Sequence, residues 1–292
     1  SPILINSLVK LISLIEEQGD LFYNSLFYVS DDSYMPSYVT NLICDHDIGS
    51  KLEAMGFLRV IIRHYKNDIE PEIIEDFERS LISQIRKEAR DQVLDAFIKT
   101  LTFLIRDMHQ APTLELSKEA IKNITEVHRD NTIDSTLVFI TNLLEYSSEV
   151  EIIKPIIQLI NVLLKEARPH MITTCLTVVS KIYHYYYRVC KNEASLKKDL
   201  DSLNTVVLNL SKGSGEVKSY AITAISVFVS CCPGLSTVQE SVNLIVSLLD
   251  DNSVAKASVG AIALISASGS AQTLSKDIKL ILEHNLILHQ LY

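Results

Sequence analysis

The chain has 292 residues, 47% of them hydrophobic, with 8 Gly, 7 Pro and no Trp, a composition that excludes intrinsic disorder and allows a large core. Its net charge of -9 is uneven: residues 1–150 hold 14 Lys+Arg against 25 Asp+Glu, or -11, and residues 151–292 hold 13 against 11, or +2. The acidic half repels a phosphate backbone, which disfavours direct nucleic-acid binding and suits a basic protein face instead.

The opening Ser1–Asp20 places Ile3, Leu4, Leu8, Leu11, Ile12 and Ile15 on one face of an amphipathic helix, without the basic start and charge-free run of a secretory signal. Residues 21–47 (LFYNSLFYVSDDSYMPSYVTNLICDHD) are aromatic-rich and aperiodic, with a short helix expected only over 36–43. Residues 1–49 therefore read as an irregular amino-terminal cap or insertion with helices, continuous with residues 50–292 as one stack. From residue 50 the apolar spacing predicts helices near 50–66, 72–87, 90–108, 113–128, 134–146, 151–164, 170–190, 195–211, 216–231, 237–250, 254–268 and 272–290. Pro71 and Pro112 suit first-turn positions, while Pro169, Gly213–Gly215, Pro233–Gly234, Asp250–Ser253 and Gly269 supply turns and caps. No strand pattern competes. Thr205–Leu210 is β-branched but belongs to a longer helical period through Leu200, Leu203, Val207 and Leu210.

The segment LNLSKGSGEVKSYAITAISVFV, Leu208–Val229, is echoed by IVSLLDDNSVAKASVGAIALIS, Ile245–Ser266. Val217, Ala221, Ala224 and Ile225 match Val254, Ser258, Ala261 and Ile262 at an offset of 37 residues. Two helices per period of about 40 residues predict a right-handed α-solenoid of antiparallel helix pairs, in which stacking buries faces that no single pair can bury alone. Leu210, Val217, Ala224, Ile225, Phe228, Leu249, Ile262 and Ile265 are the expected core of this part, and the helices beginning near His170, Gly215 and Ser253 should be neighbours.

These helix pairs resemble the HEAT and armadillo superfamily. Within it, Ala111–Tyr187 followed by VVLNLSKGSGEVKSYAITAISVFV is similar in helix lengths and apolar spacing to the amino-terminal HEAT domain of symplekin, a scaffold of messenger RNA 3′-end processing. About 110 residues precede the similar region here, a departure from that pattern. The resemblance implies a protein-binding scaffold or adaptor and transfers no catalytic residues. The absence of Trp departs from the superfamily members that hold peptides or tubulin through tryptophans.

No motif for catalysis or for a cofactor emerges, although an active site without a known motif is a competing class. Cys44, Asp45, His46 and Asp47 are metal-ligand types, but consecutive residues point apart, and the segment reads as a turn that caps the next helix. His284 and His289, five apart, do not share a helix face. Gly213–Gly215 lacks the Lys of a phosphate loop and is followed by Glu216. Metal, cofactor and catalytic residues are thus expected to be absent. The five cysteines are odd in number and without framework spacing, which points to a reducing, intracellular setting in cytoplasm or nucleus. The longest charge-free stretch, Ser219–Gln239, is interrupted by Pro233 and Gly234 and falls short of a membrane span.

The best candidate for contact with a protein or peptide is the helix His170–Lys191. Met171, Cys175, Val178, Ile182, Tyr186 and Val189 mark its inner face, leaving Thr174, Thr177, Lys181, His184, Tyr185 and Arg188 outside. Lys218 on a following helix extends this surface, which suits an acidic or aromatic partner segment. In the acidic half, Glu70, Glu72, Glu75, Asp76 and Glu78 crowd the start of one helix, with Ile73, Ile74 and Phe77 turned inward. A basic partner suits that end. The oligomeric state is left open by the sequence.

Overall fold

The computed structural model describes residues 28–268, apart from 31–32, 68, 128, 167–168 and 250. The helices expected over 3–15 and 272–290, with His284 and His289, lie outside the described residues. Two compact units divide the chain, up to Ser147 and from Ser148.

In the amino-terminal unit, β1 (Tyr28–Ser30) pairs antiparallel with β2 (Ser33–Tyr34), Tyr28 opposite Tyr34. Strands of three and two residues are too short to leave an alternating pattern, so the sequence did not announce them. Six helices follow: α1 (Met35–Ile43), α2 (Ile48–Tyr65), α3 (Pro71–Ile85), α4 (Asp91–Met108), α5 (Leu114–Val127) and α6 (Ile133–Tyr146). Helices α1, α3 and α5 pack in one row, and α2, α4 and α6 in a second. Ile73, Ile74, Phe77, Leu81, Ile82 and Ile85 recur at helical spacing and bury one face of α3. The middle helix of the second row, α4, has neighbours on both sides and buries Phe97, Ile98, Leu101, Phe103, Leu104 and Ile105 together with Thr100 and Thr102. Those two hydroxyls donate to the carbonyls of Ala96 and Ile98 one turn back, so no donor is stranded.

The turns follow capping chemistry. Asp47 accepts the Ser50 N–H at 2.7 Å and caps α2, which gives the Cys44–Asp47 segment the role expected of it. Pro71 opens α3 as anticipated. Pro112 instead stands two residues before α5, where its carbonyl accepts the Ser117 hydroxyl at 3.1 Å.

The carboxy-terminal unit contains α7 (Ile153–Glu166), α8 (Pro169–Tyr185, extended by a π-helical turn over Tyr186–Cys190), α9 (Lys197–Leu210), α10 (Gly215–Cys231), α11 (Val238–Ser247) and α12 (Ala255–Ala267). Helices α8, α10 and α12 form one row, as the 37-residue offset requires. The middle helix, α10, is again buried almost all round, from Ala221 and Ile222 through Ala224–Val229. Gly215 opens it at φ +66°, a conformation that a side chain would strain. Of the expected core, Ala224, Ile225, Phe228, Ile262 and Ile265 are buried, and Phe228 meets the Tyr183 ring edge-on at 5.1 Å. Leu210, Val217 and Leu249 are only half-buried. Each lies within three residues of a helix end, where the turn admits solvent.

Hydrogen bonds between successive repeats span one period. Asn123 donates to the Ile82 carbonyl across 41 positions, Lys51 to Glu88 across 37, and Asn204 to Ser241 across 37. Within each unit, the sequence repeat is thus also a repeat of stacking contacts, with polar groups tying one helix pair to the next.

Candidate functional site

Along α8 the exposed residues are Thr174, Thr177, Lys181, His184, Tyr187 and Arg188, and the inner face holds Cys175, Val178, Val179, Ile182, Tyr183 and Tyr186. Lys181, His184 and Arg188 therefore share one exposed face, as their spacing of three and four residues implies. Two expected members of that surface do not belong to it. Tyr185 is buried, with its hydroxyl donating to the Glu149 carbonyl at 2.8 Å. It stands three residues after Ile182 and seven after Val178, so it belongs to the inner stripe. Its ring forms a floor on which the Arg188 guanidinium rests at 5.5 Å. Lys218 is drawn into the structure by a 2.6 Å ion pair with Asp251, one repeat later, which holds the Asp251 carboxyl down at about 2 with help from Ser253.

His184 combines surface and packing. Its Nδ1 lies 3.4 Å from Cys231 Sγ at the end of α10. Burial pushes the Cys231 thiol up to about 11, while burial and then the charge of Lys181 lower the His184 pKa. Both shifts favour the uncharged forms, so the imidazole and the thiol meet as a neutral pair, and His184 contributes little positive charge at neutral pH. The basic character of the face rests on Lys181 and Arg188, with exposed Tyr187 beside them. Farther along the same row, a trough of about 720 Å³ runs between α10 and α12, floored by Ser219, Thr223, Ala257, Gly260 and Ala261 and edged by Leu264.

No family model and no curated protein matches the chain. Ten chains of solved structures do. A crystal structure of a mutant of the karyopherin Kap121p superposes with a TM-score of 0.62 at 12% identity, covering 94% of this chain. The crystal structure of an engineered protein superposes at 0.53 and 14% identity, covering 80% of this chain and 97% of its own. The fold is the HEAT-type α-solenoid. The chain spans 28% of the length of the Kap121p chain. Identities this low carry the solenoid fold and no residue roles.

Two further places in this solenoid concentrate charge, both in the amino-terminal unit. At the α3–α4 turn, Lys51 Nζ lies 2.9 Å from Glu88 Oε2 and 5.4 Å from the Phe97 ring centroid, with the side chains of Lys51 and Glu88 6% and 2% exposed. The Arg90 guanidinium donates to both Glu88 oxygens, at 2.6 and 2.9 Å. These bonds from Arg90, followed by that from Lys51, hold the Glu88 carboxyl at about 2. The adjoining cavity of about 670 Å³ includes Cys44, His46 and Gln84, and of its charged groups Lys51, Glu88 and Arg90 are committed to one another.

The other place is the start of α3. Arg79 pairs with Glu75 at 2.6 Å on the outside, and Ile73, Ile74 and Phe77 are buried as expected. Glu78, grouped in the sequence with the surface carboxylates, is 6% exposed. It follows Ile74 by four residues and precedes Leu81 by three, so its inward position was readable from spacing once its charge was set aside. Burial, then the nearby Glu75, pushes its carboxyl up to about 8. Because the folded pKa is raised, its contribution to stability is complete below the ordinary value near 4.5 and is lost as pH rises through about 8.

Among the described residues no group of three His, Cys, Asp or Glu side chains could hold a metal ion, and no helix is long and apolar enough to cross a membrane. The thiols of Cys190 and Cys231 are both pushed up to about 11 by burial, which keeps them protonated and poor nucleophiles at neutral pH.

Proposed function

We propose that the protein is a non-catalytic, intracellular binding scaffold or adaptor that presents an extended solenoid surface to protein or peptide partners. The observation that carries this reading is the α8–α10–α12 row, whose outer side offers Lys181, Arg188 and Tyr187, exposed Tyr220 and the Leu264-edged trough. Large aromatic area beside arginine is the composition of binding hot spots, and a row of rigid helices presents it without a large ordering cost. An acidic segment with aromatic or aliphatic anchors fits this surface. The buried, protonated thiols accord with a reducing compartment. A place in messenger RNA 3′-end processing would be one instance of this role, supported by the likeness of Ala111–Tyr187 to symplekin alone.

The test is purification of partners from the source cells with the wild-type chain and with Lys181→Glu/Arg188→Glu. The double variant should lose most of the captured partner, and its thermal melt measures what the two side chains contribute to stability, of which the cation–π contact with Tyr185 supplies about 0.5–1 kcal/mol. Binding of the wild type should also weaken with added salt. Equal capture by both proteins would remove this face as the docking surface, and a large loss of stability would reassign both side chains to packing.

A further inference from the structure

Among the described residues, the carboxyl of Glu78 is largely buried and opens only towards a cavity. Glu78 is 6% exposed, and none of the hydrogen bonds or ion pairs of the described residues reaches its carboxyl. It lines a cavity of about 160 Å³ between the start of α3 and the α4–α5 connection. Ile69, Ile74, Met108 and Pro112 supply apolar wall, and Glu72 stands exposed at the rim. An unpaired carboxyl in such surroundings is costly unless something completes it.

We propose that this cavity receives the side chain of a lysine or arginine from a protein partner, with the Glu78 carboxylate as its buried acceptor. The volume matches one that admits a benzene-sized group, roughly 150 Å³, which is enough for an alkyl stem and its cationic head. The stem lies against Ile74, Met108 and Pro112, as long basic side chains do on apolar surfaces. The head reaches Glu78, while Glu72 at the rim offsets the positive end of α3. Glu75 is already engaged by Arg79. A hard divalent cation fits less well, because it requires several converging oxygens and no such group of ligands exists among the described residues. The net charge of -11 over residues 1–150 draws a basic segment towards this end.

Binding is coupled to pH. The charged neighbours of Glu78 in the cavity wall are Glu72 and Glu75 on its own helix; the α4 end and the α4–α5 connection contribute the uncharged Met108, Gln110, Ala111, Pro112 and Thr113. An incoming cation favours the carboxylate, so its arrival expels the proton that burial holds on Glu78. Affinity should rise on the order of tenfold between pH 6.5 and 8.5, where lysine and arginine remain protonated.

This inference rests on the reading of the chain as a partner-binding scaffold, and its test is independent of the α8 face. The full chain carries 4 methionines, so a 13C-labelled Met108 methyl is readily assigned and reports on the cavity by NMR. The probes are blocked Ala-Lys-Ala and Ala-Arg-Ala peptides, blocked Ala-acetyllysine-Ala, and calcium chloride. The basic peptides should shift the Met108 methyl saturably, more tightly at pH 8.5, and acetyllysine should not. Glu78→Gln, matched in size, should weaken the response at least about tenfold. It should also melt no lower than the wild type at pH 8.5. Glu72→Gln, an exposed change at the rim, should weaken the response and serves should the buried change disturb folding. No saturable shift, a response unchanged in both variants, or an equal Glu78-dependent response to calcium would each overturn the proposal. Loss of partner capture by Lys181→Glu/Arg188→Glu with the Met108 response intact would separate the two sites.

Discussion

The two units stack their helix pairs alike, and one inter-repeat tie from each makes a chemical contrast. In the amino-terminal unit the inter-repeat contacts at the turns are ionic: buried Lys51 with Glu88, and Arg129 with Asp91 and with the carbonyls of Glu88 and Ala89. In the carboxy-terminal unit the buried α9–α11 tie is neutral, although the Lys218–Asp251 ion pair also links successive repeats there. Asn204 on α9 donates to Thr237 Oγ1 and Ser241 Oγ, both at 2.9 Å, while Asp201 accepts the N–H groups of Ser236 and Thr237 ahead of α11. Burial would raise the Asp201 pKa, but these hydrogen bonds outweigh it and leave it lowered. A solenoid needs some polar group to close each turn, and either solution satisfies the backbone. They differ in what happens when one partner is taken away.

That difference sets the largest expected effect. Glu88→Ala leaves the Lys51 ammonium buried without its counter-ion and should cost about 3–5 kcal/mol. Asn204→Ala should cost only about 1–2 kcal/mol, because Thr237 still donates to Asp201 and Ser241 still donates to the Thr237 carbonyl. Urea denaturation of both variants at neutral pH measures the gap, and equal costs would erase the distinction between the two ties.

Acid sharpens the same comparison. The Glu88 carboxyl is held at about 2, so its contribution is present above the ordinary value near 4.5 and is lost as pH falls from there towards 2. The urea midpoint of Glu88→Ala should therefore decline less between pH 5 and 3 than that of the wild type, whereas Asn204→Ala should decline in parallel with it. Parallel curves for all three would show that the ion pair does not govern acid stability.

The smallest expected effect concerns two tyrosines two residues apart on α8. The Tyr183 hydroxyl is buried without a hydrogen-bond partner, and burial raises its pKa well above 10. The Tyr185 hydroxyl has the Glu149 carbonyl. Tyr185→Phe should cost about 1 kcal/mol, and Tyr183→Phe should be neutral or stabilising. Thermal melts of the pair test whether these hydroxyls contribute in the sense their surroundings imply; a larger loss from Tyr183→Phe would reveal a partner such as a bound water.

The described helices were legible because apolar spacing and turn chemistry agree at most of their boundaries. Asp47 and Pro71 stand where capping rules place them, and Gly215 opens α10 at its expected place. The candidate site was legible only in part. Lys181, His184 and Arg188 lie at helical spacing on one exposed face, but Tyr185 sits at the border of the stripe, where one residue's rotation decides between solvent and core. Lys218 was lost to Asp251, a partner 33 positions away that local spacing does not reveal. The inward position of Glu78 was not drawn from the sequence, which groups it only with the neighbouring carboxylates at the helix start.

The sequence by itself determined the helical solenoid, the 37-residue offset and the uneven charge, because these depend on local propensity, periodicity and composition. Only the tertiary structure decided which charges stay at the surface and which are spent between repeats. That outcome depends on what the next helix pair places opposite each side chain, and stacking supplies a counter-ion to Lys51 and Lys218 but none to Glu78.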